Sequence, residues 1–315
     1  MDVLTLSRAE IERLLDPAAL MEALRGAFRA VTAGEVQAAP RNRLAGPGEA
    51  FLLGMPGQTR GGAMAVKVVT LFEGNAALGI PSHLATIGLY DASTGACLAF
   101  MDGTYITAVR TAAAAALACD LLARPDARVL AIVGAGVQGE QHLRAFPLVR
   151  GFDEIRIASK TFADAERLAA THPHARAAHT AEEATRGADV VALTTYAAQP
   201  VIEPGWIGPG THVGSVGYRP PDGELPRELA RAGRLFVETR DAFAPPPVGC
   251  AELQGLDAAA GTELGEVLAG SRPGRTAGDE ITVYKAMGHV AEDIAGAELV
   301  YAAALREGAG TTVEL

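Results

Sequence analysis

The sequence predicts an α/β protein of two domains, a doubly wound parallel sheet preceded by a separate α+β domain. Three observations carry this. Val129-Leu130-Ala131-Ile132-Val133 is a continuous apolar run, the signature of a strand buried on both faces. It runs straight into Gly134-Ala135-Gly136-Val137-Gln138-Gly139, and Glu140-Gln141-His142-Leu143-Arg144 continues as a helix. The run lies mid-chain in 315 residues, so about one domain's worth of chain precedes it.

The preceding segment reads as follows. Ser7-Arg8-Ala9-Glu10 is a capping box opening a short helix. Asp16-Pro17 gives an N-cap and a proline at the first helical position of an amphipathic helix through Ala30. Pro40, Gly46, Pro47 and Gly48 punctuate a looser stretch carrying Arg41 and Arg43. Strands are expected at 64–72, 83–90 and 96–101, the last two joined by the turn Asp91-Ala92-Ser93-Thr94-Gly95. Thr104 is the expected N-cap of an alanine-rich helix through Ala123.

After the glycine loop, strands are expected at 154–158, 189–194, 211–216 and 235–238. Helices are expected at 162–171, 181–186 and 224–232. In G-x-G-x-x-G the first glycine makes the tight turn and the second admits a pyrophosphate to the backbone. The third lets helix and strand pack closely, which brings the diphosphate to the helix N-terminus. An acidic residue some 20 positions on would grip the ribose of NAD. This chain has Ser159-Lys160-Thr161 there, a set that suits the 2′-phosphate of NADP or forms a turn tolerating both cofactors. Thr194-Thr195 and Gly214-Ser215-Val216-Gly217-Tyr218-Arg219 also end strands at the carboxyl edge, where ligands bind in open α/β folds.

Composition narrows the function classes. The net charge is −10 with no basic cluster, which argues against nucleic acid and against a polybasic membrane surface. The N-terminus lacks the features of a signal peptide, and Tyr105–Leu122, the nearest approach to a membrane span, is interrupted by Arg110 and Asp120. Cys97, Cys119 and Cys250 are isolated, the usage of a cytoplasmic protein with reduced thiols. His172, His174 and His179 lack metal-site spacing, so no metal is expected.

Of 27 basic residues only Lys67, Lys160 and Lys285 are lysines, which marks each as a site where arginine would not serve. Lys67 has apolar same-face neighbours, Ala65 and Val69. It is either an edge-strand gatekeeper or a desolvated ammonium able to hold and give a proton. Arg110, in an apolar helix, either snorkels or faces an anion.

Ala39-Pro40-Arg41, Ala65-Val66-Lys67-Val68-Val69, Ile80-Pro81-Ser82-His83-Leu84-Ala85-Thr86 and Met101-Asp102-Gly103-Thr104 together resemble segments of the ornithine cyclodeaminase/mu-crystallin family. Ile106-Thr107-Ala108-Val109-Arg110-Thr111, the glycine loop, Gly265-Glu266-Val267 and Thr282-Val283-Tyr284-Lys285 extend the resemblance over nearly the whole chain. It implies a homodimer with a Rossmann domain at 123–286. The substrate-binding and dimerisation domain would be 1–122, completed by 287–315 and its C-terminal helix. It also implies hydride chemistry on a small amino or imino acid.

Carried over by position, Arg41 and Lys67 would contact substrate, with Lys67 catalytic and Met287 alongside. Ser82, Arg110, Val137, Gln138 and Thr194 would contact the cofactor; the fold reading adds Gly134, Gly136, Gly139, Thr195, Gly217 and Tyr218, with Ser159, Lys160 and Thr161 at its ribose. Side-chain specificity would lie around Met55, His83, Tyr218 and Met287. The cyclodeaminases carry an aspartate where this chain has Tyr218, and a phenol cannot replace a carboxylate near neutral pH. The expectation is therefore an NAD(P)-dependent, ketimine reductase-like oxidoreductase favouring NADP. Ornithine cyclodeamination and a non-enzymatic NADPH- and ligand-binding protein are the alternatives.

Overall fold

The computed structural model describes residues 2–315. By internal contacts it forms two compact units, one running up to Arg110 and including His289–Leu315, the other Thr111–Gly288. The first unit contains β1 (Asp2–Leu6), α1 (Arg8–Leu14), α2 (Pro17–Thr32), β2 (Val36–Ala38), β3 (Asn42–Ala45) and β4 (Phe51–Thr59). It continues with β5 (Met64–Leu71), β6 (His83–Tyr90), β7 (Cys97–Asp102) and the start of α3 (Gly103–Leu122). A C-terminal helix, Val290–Glu307, and a C-terminal strand, Thr311–Glu314, complete it.

Local sequence explains the helix starts. The Ser7 capping box forms, and Asp16 accepts from the Ala18 N–H at 2.9 Å ahead of Pro17. At α3 the expectation fails. Asp102 accepts the Tyr105 N–H at 2.9 Å, while the Thr104 hydroxyl accepts from the Ala85 N–H at 2.9 Å and ties the helix to β6. By length and composition α3 could cross a membrane, contrary to the sequence reading, but 72% of its apolar window is buried within the protein.

The strand order of the first sheet is C-terminal strand–β1–β7–β6–β5–β4–β2, with β3 also on β4. β4 was missed because Gly54, Pro56 and Gly57 interrupt its strand signal. The structure accommodates Pro56 where β3, paired to residues 51–54, gives way to β2, paired to 57–59. Burial alternates along β5: Ala65, Lys67, Val69 and Leu71 are buried beneath the C-terminal helix, which packs on β4, β5 and β6. On the opposite face Val66, Val68 and Thr70 stay half-exposed, beside exposed Leu44, Leu52 and Phe100.

The second unit holds β8 (Val129–Val133), α4 (Val137–Ala145), β9 (Glu154–Ala158), α5 (Phe162–Ala169), β10 (Ala175–Ala178), α6 (Ala181–Thr185) and β11 (Val190–Leu193). β12 (His212–Ser215), α7 (Arg227–Ala232), β13 (Arg234–Val237), β14 (Thr262–Glu263), α8 (Leu264–Leu268) and β15 (Thr282–Lys285) follow. Its sheet has the order β10–β9–β8–β11–β12–β15–β13–β14, and every pair is parallel. This is the doubly wound α/β fold, with the switch of direction between β8 and β11 directly beside the glycine loop. The α7 helix begins at Arg227, not at 224, because Pro226 stands at its N-cap and disfavours helical backbone at Leu225.

The contact boundaries fall at 110/111 and 288/289, against the expected 122/123 and 286/287. The first lies within α3, since that continuous helix contributes turns to both units. The second leaves Met287 with the Rossmann unit, where its N–H donates to Glu238 at 2.9 Å.

Candidate functional site

In the first unit the chemistry gathers around Lys67. β5 is paired on both sides, by β4 and β6, which removes the edge-gatekeeper alternative. Lys67 is 1% exposed, and its ammonium lies 2.6 Å from Asp293 on the C-terminal helix. Arg110 does not snorkel: its Nε donates to Asp293 at 3.1 Å and its Nη1 to Glu292 at 3.1 Å. Glu292 also accepts the His289 N–H, closing a capping box that fixes the helix start. Two cations and two carboxylates thus balance in a buried cluster.

That balance tunes Lys67. Burial, and then the Arg110 cation, push its pKa down to about 8 against the pull of Asp293 and Glu292. Burial pushes the Asp293 carboxyl up, but Arg110 and Lys67 more than reverse this and hold it below the usual range. The His83 side chain is exposed at its surface yet lies among enough protein that desolvation, then Lys67 and Arg110, lower it to about 4. Lys67 therefore titrates not far above neutrality, beside an Asp293 carboxylate that the two cations hold ionised.

Arg41 is half-buried one residue before the Asn42–Gly54 pair, in line with the register row of Met55 and Lys67. It lies in the link between β2 and β3, both of which pair with β4, the strand beside β5 and Lys67. Ser82 is half-buried just before β6, its carbonyl accepting from the Phe72 N–H at 2.8 Å.

In the second unit the glycine loop has the geometry that its spacing demands. Gly134 has φ +116°, and a Cβ on Gly139 would stand 2.0 Å from the Gly134 carbonyl oxygen. Gly136 opens into free space and caps α4 without a side-chain bond, so the N–H groups of the first turn face outward with Val137 exposed. The buried Gln138 Oε1 has no hydrogen-bond partner. This is a cradle that fits a dinucleotide diphosphate. Thr194 is buried, its hydroxyl within 3.0 Å of the carbonyls of Val133 and Gly134, so it braces the loop from below. A groove of about 700 Å³ on the outer side of the loop is bounded by α4 and α5 residues, Glu140, Arg144 and Arg167 among them.

At the end of β9, Ser159 is half-buried and Lys160 and Thr161 are exposed. Thr161 caps α5 without using its hydroxyl for the cap. Among the described residues no cluster of three or more His, Cys, Asp or Glu side chains could hold a metal ion.

The model of the ornithine cyclodeaminase/mu-crystallin family matches residues 1–308. The chain belongs to this family. Ketimine reductase mu-crystallin of Mus musculus is 41% identical over 241 residues, which cover 76% of this chain and 75% of the relative. The structure of Thermococcus litoralis Delta(1)-pyrroline-2-carboxylate reductase with NADH and L-proline superposes with a TM-score of 0.92 at 34% identity, covering 99% of this chain and all of the other. An archaeal alanine dehydrogenase dimer with bound NAD superposes with a TM-score of 0.88 at 29% identity, each chain covered completely.

This family member also holds charged residues that its sequence did not disclose. Glu224 is fully buried and receives the Thr195 N–H at 2.6 Å and hydroxyl at 2.7 Å, and the Gly217 N–H at 2.7 Å. Lys285, which the sequence marks as one of three lysines and as the end of a family-like segment without a role, pairs with buried Glu252 at 2.8 Å. Asp293 and Glu292 were missed because acids in the first turn of a helix ordinarily complement its dipole. Tyr218 and Met287 are half-buried at the edge of the Rossmann core. Arg219 covers the Tyr196 ring at 4.7 Å.

Proposed function

We propose that this chain is an NAD(P)-dependent oxidoreductase that reduces the C=N bond of an α-imino acid, a cyclic ketimine above all, to the amino acid. The observation that carries this reading is Lys67, a buried ammonium poised near pKa 8 beside fixed countercharges. Reduction of an imine needs a hydride at carbon and a proton at nitrogen. Bound NAD(P)H supplies the hydride. Lys67 holds the proton for the imine nitrogen, and Asp293 and Arg110 keep its ammonium oriented and its pKa within reach of neutrality. Arg41, with Lys67, receives the substrate carboxylate. Within the first unit Met55, paired with Lys67, and His83 would meet the side chain of the substrate.

Gly134, Gly136, Val137, Gln138 and Gly139 would cradle the diphosphate, with Thr194 supporting the loop. In the first unit Ser82 and Arg110, and in the Rossmann unit Thr195, Gly217 and Tyr218, would each be cofactor contacts. Ser159, Lys160 and Thr161 support NADP, since one cation and two hydroxyls are the groups that a 2′-phosphate takes. Tyr218 in place of a carboxylate weighs against ornithine cyclodeamination.

The assembly we propose is a homodimer, supported by the uncovered apolar sheet face of Leu44, Leu52, Val68 and Phe100. Three free cysteines support a reducing, cytoplasmic setting. Purified protein incubated with NADPH and cyclic or open-chain imino acids tests the reaction. Oxidation of NADPH with formation of the amino acid supports it, and no consumption across the panel overturns it.

A further inference from the structure

Beneath the ends of β11 and β12 lies a set of charges that the proposed reaction does not use. The Lys285 ammonium has three donors and three partners. It reaches Glu252 at 2.8 Å, the Ser215 hydroxyl at 3.1 Å and the Gly217 carbonyl. Burial pushes its pKa down, but Glu252, the Cys250 thiol and Glu224 raise it beyond the ordinary value, so it remains charged.

Glu224 is the counterpart. One carboxylate oxygen accepts from the Ser215 hydroxyl at 3.0 Å, the Val216 N–H at 3.1 Å and the Gly217 N–H at 2.7 Å. The other accepts the N–H and hydroxyl of Thr195. A single carboxylate therefore ties the end of β11 to the end of β12, and Ser215 bridges it to Lys285.

Gly217 is gripped from both sides, its N–H by Glu224 and its carbonyl by Lys285. A Cβ there would stand 2.3 Å from the Thr195 carbonyl oxygen and 2.6 Å from the Glu224 carboxyl carbon, so only glycine fits. With the Gly217 carbonyl fixed, the plane of the following peptide is fixed too, and with it the departure of Tyr218.

We propose that Glu224 and Lys285 are positioning residues that set the Thr195 and Gly217–Tyr218 strand ends against the nicotinamide half of the cofactor. The proposal rests on the reading of those strand ends as cofactor contacts. Misplacement of such a surface by about 1 Å costs about a hundredfold in rate. A merely structural role would instead weaken all ligand binding together, or only stability.

The test uses the full-length protein and compares two ligands by titration: NADPH, and 2′-phospho-ADP-ribose, which lacks the nicotinamide. Glu224→Gln keeps the shape but turns an NH2 toward N–H donors. Lys285→Met/Glu252→Gln removes the buried pair together. Ser215→Ala, the mildest variant, removes only the bridging hydroxyl and serves if the others fail to fold. The expected result is about a tenfold loss of NADPH affinity with 2′-phospho-ADP-ribose unchanged within about twofold, and kcat falling more than KM for the imino acid rises. Equal losses for both ligands, or unchanged NADPH affinity in folded Ser215→Ala and Glu224→Gln, overturn the proposal. If the parent protein reduces no imino acid, the functional reading fails while the affinity ratio still decides the clamp.

Discussion

Replacing Asp293 by asparagine probes the Lys67 cluster directly. The carboxylate stands 2.6 Å from the ammonium, and both are buried. With an effective dielectric constant near 20, that contact is worth about 6 kcal/mol, or more than four pKa units at about 1.4 kcal/mol each. Relaxation of the cluster and entry of water absorb part of this, so a fall of about two units is expected. Lys67 then moves from about 8 to about 6.

The sign is definite. The proton is present below the pKa, so reduction by the parent protein is supported below about pH 8 and fails as pH rises through it. In Asp293→Asn the same failure sets in about two units lower. The assay is the pH profile of kcat/KM for the imino acid, followed by NADPH absorbance. A basic limb that stays near pH 8 in Asp293→Asn would refute the coupling, and so would a parent profile with no limb there.

Four further outcomes follow from the same geometry. Lys67→Met loses turnover but not stability: the lowered folded pKa, about 8 against 10.5, means the buried charge disfavours folding below about pH 8 by about 3 kcal/mol, a burden relieved between pH 8 and 10.5. Thermal unfolding at pH 7 should therefore show a Tm at or above that of the parent. Lys160→Glu should raise KM for NADPH about tenfold and leave NADH nearly unchanged, whereas equal effects on both would remove the 2′-phosphate role. Gly139→Ala drives a methyl into the Gly134 carbonyl and should abolish cofactor binding in calorimetry, since 2.0 Å leaves no room. Phe100→Asp, on the open sheet face, should yield monomers in light scattering, and an unchanged mass would place the dimer elsewhere.

The Rossmann unit was largely legible because its signals are local. A buried strand, a glycine loop and βα alternation each declare themselves within about ten residues. The insertion of β15 between β12 and β13 was not, since sheet order is a long-range property. In the first unit β4 was hidden by Gly54, Pro56 and Gly57, and β1 joins the sheet through β7 and the C-terminal strand, far from it in sequence.

The site shows the same division. Lys67 stood out because a lysine amid Ala65 and Val69 conflicts with its surroundings. Asp293 gave no such signal, since an acid in the first turn of a helix conflicts with nothing. Only the packing of the C-terminal helix on β5, more than 200 residues away in the chain, gives it a partner. Glu224 was read as the start of a helix, yet it ties two strand ends together.

The central claim is imine reduction with Lys67 as the proton source. Its most direct measurement is single-turnover oxidation of bound NADPH by a cyclic imino acid, in the parent protein and in Lys67→Met. The account predicts stoichiometric conversion to the cyclic amino acid by the parent and, in a folded variant that still binds NADPH, loss of about a hundredfold or more. Equal rates in both would contradict Lys67, and ammonia release from ornithine without net change in cofactor absorbance would contradict the reaction itself.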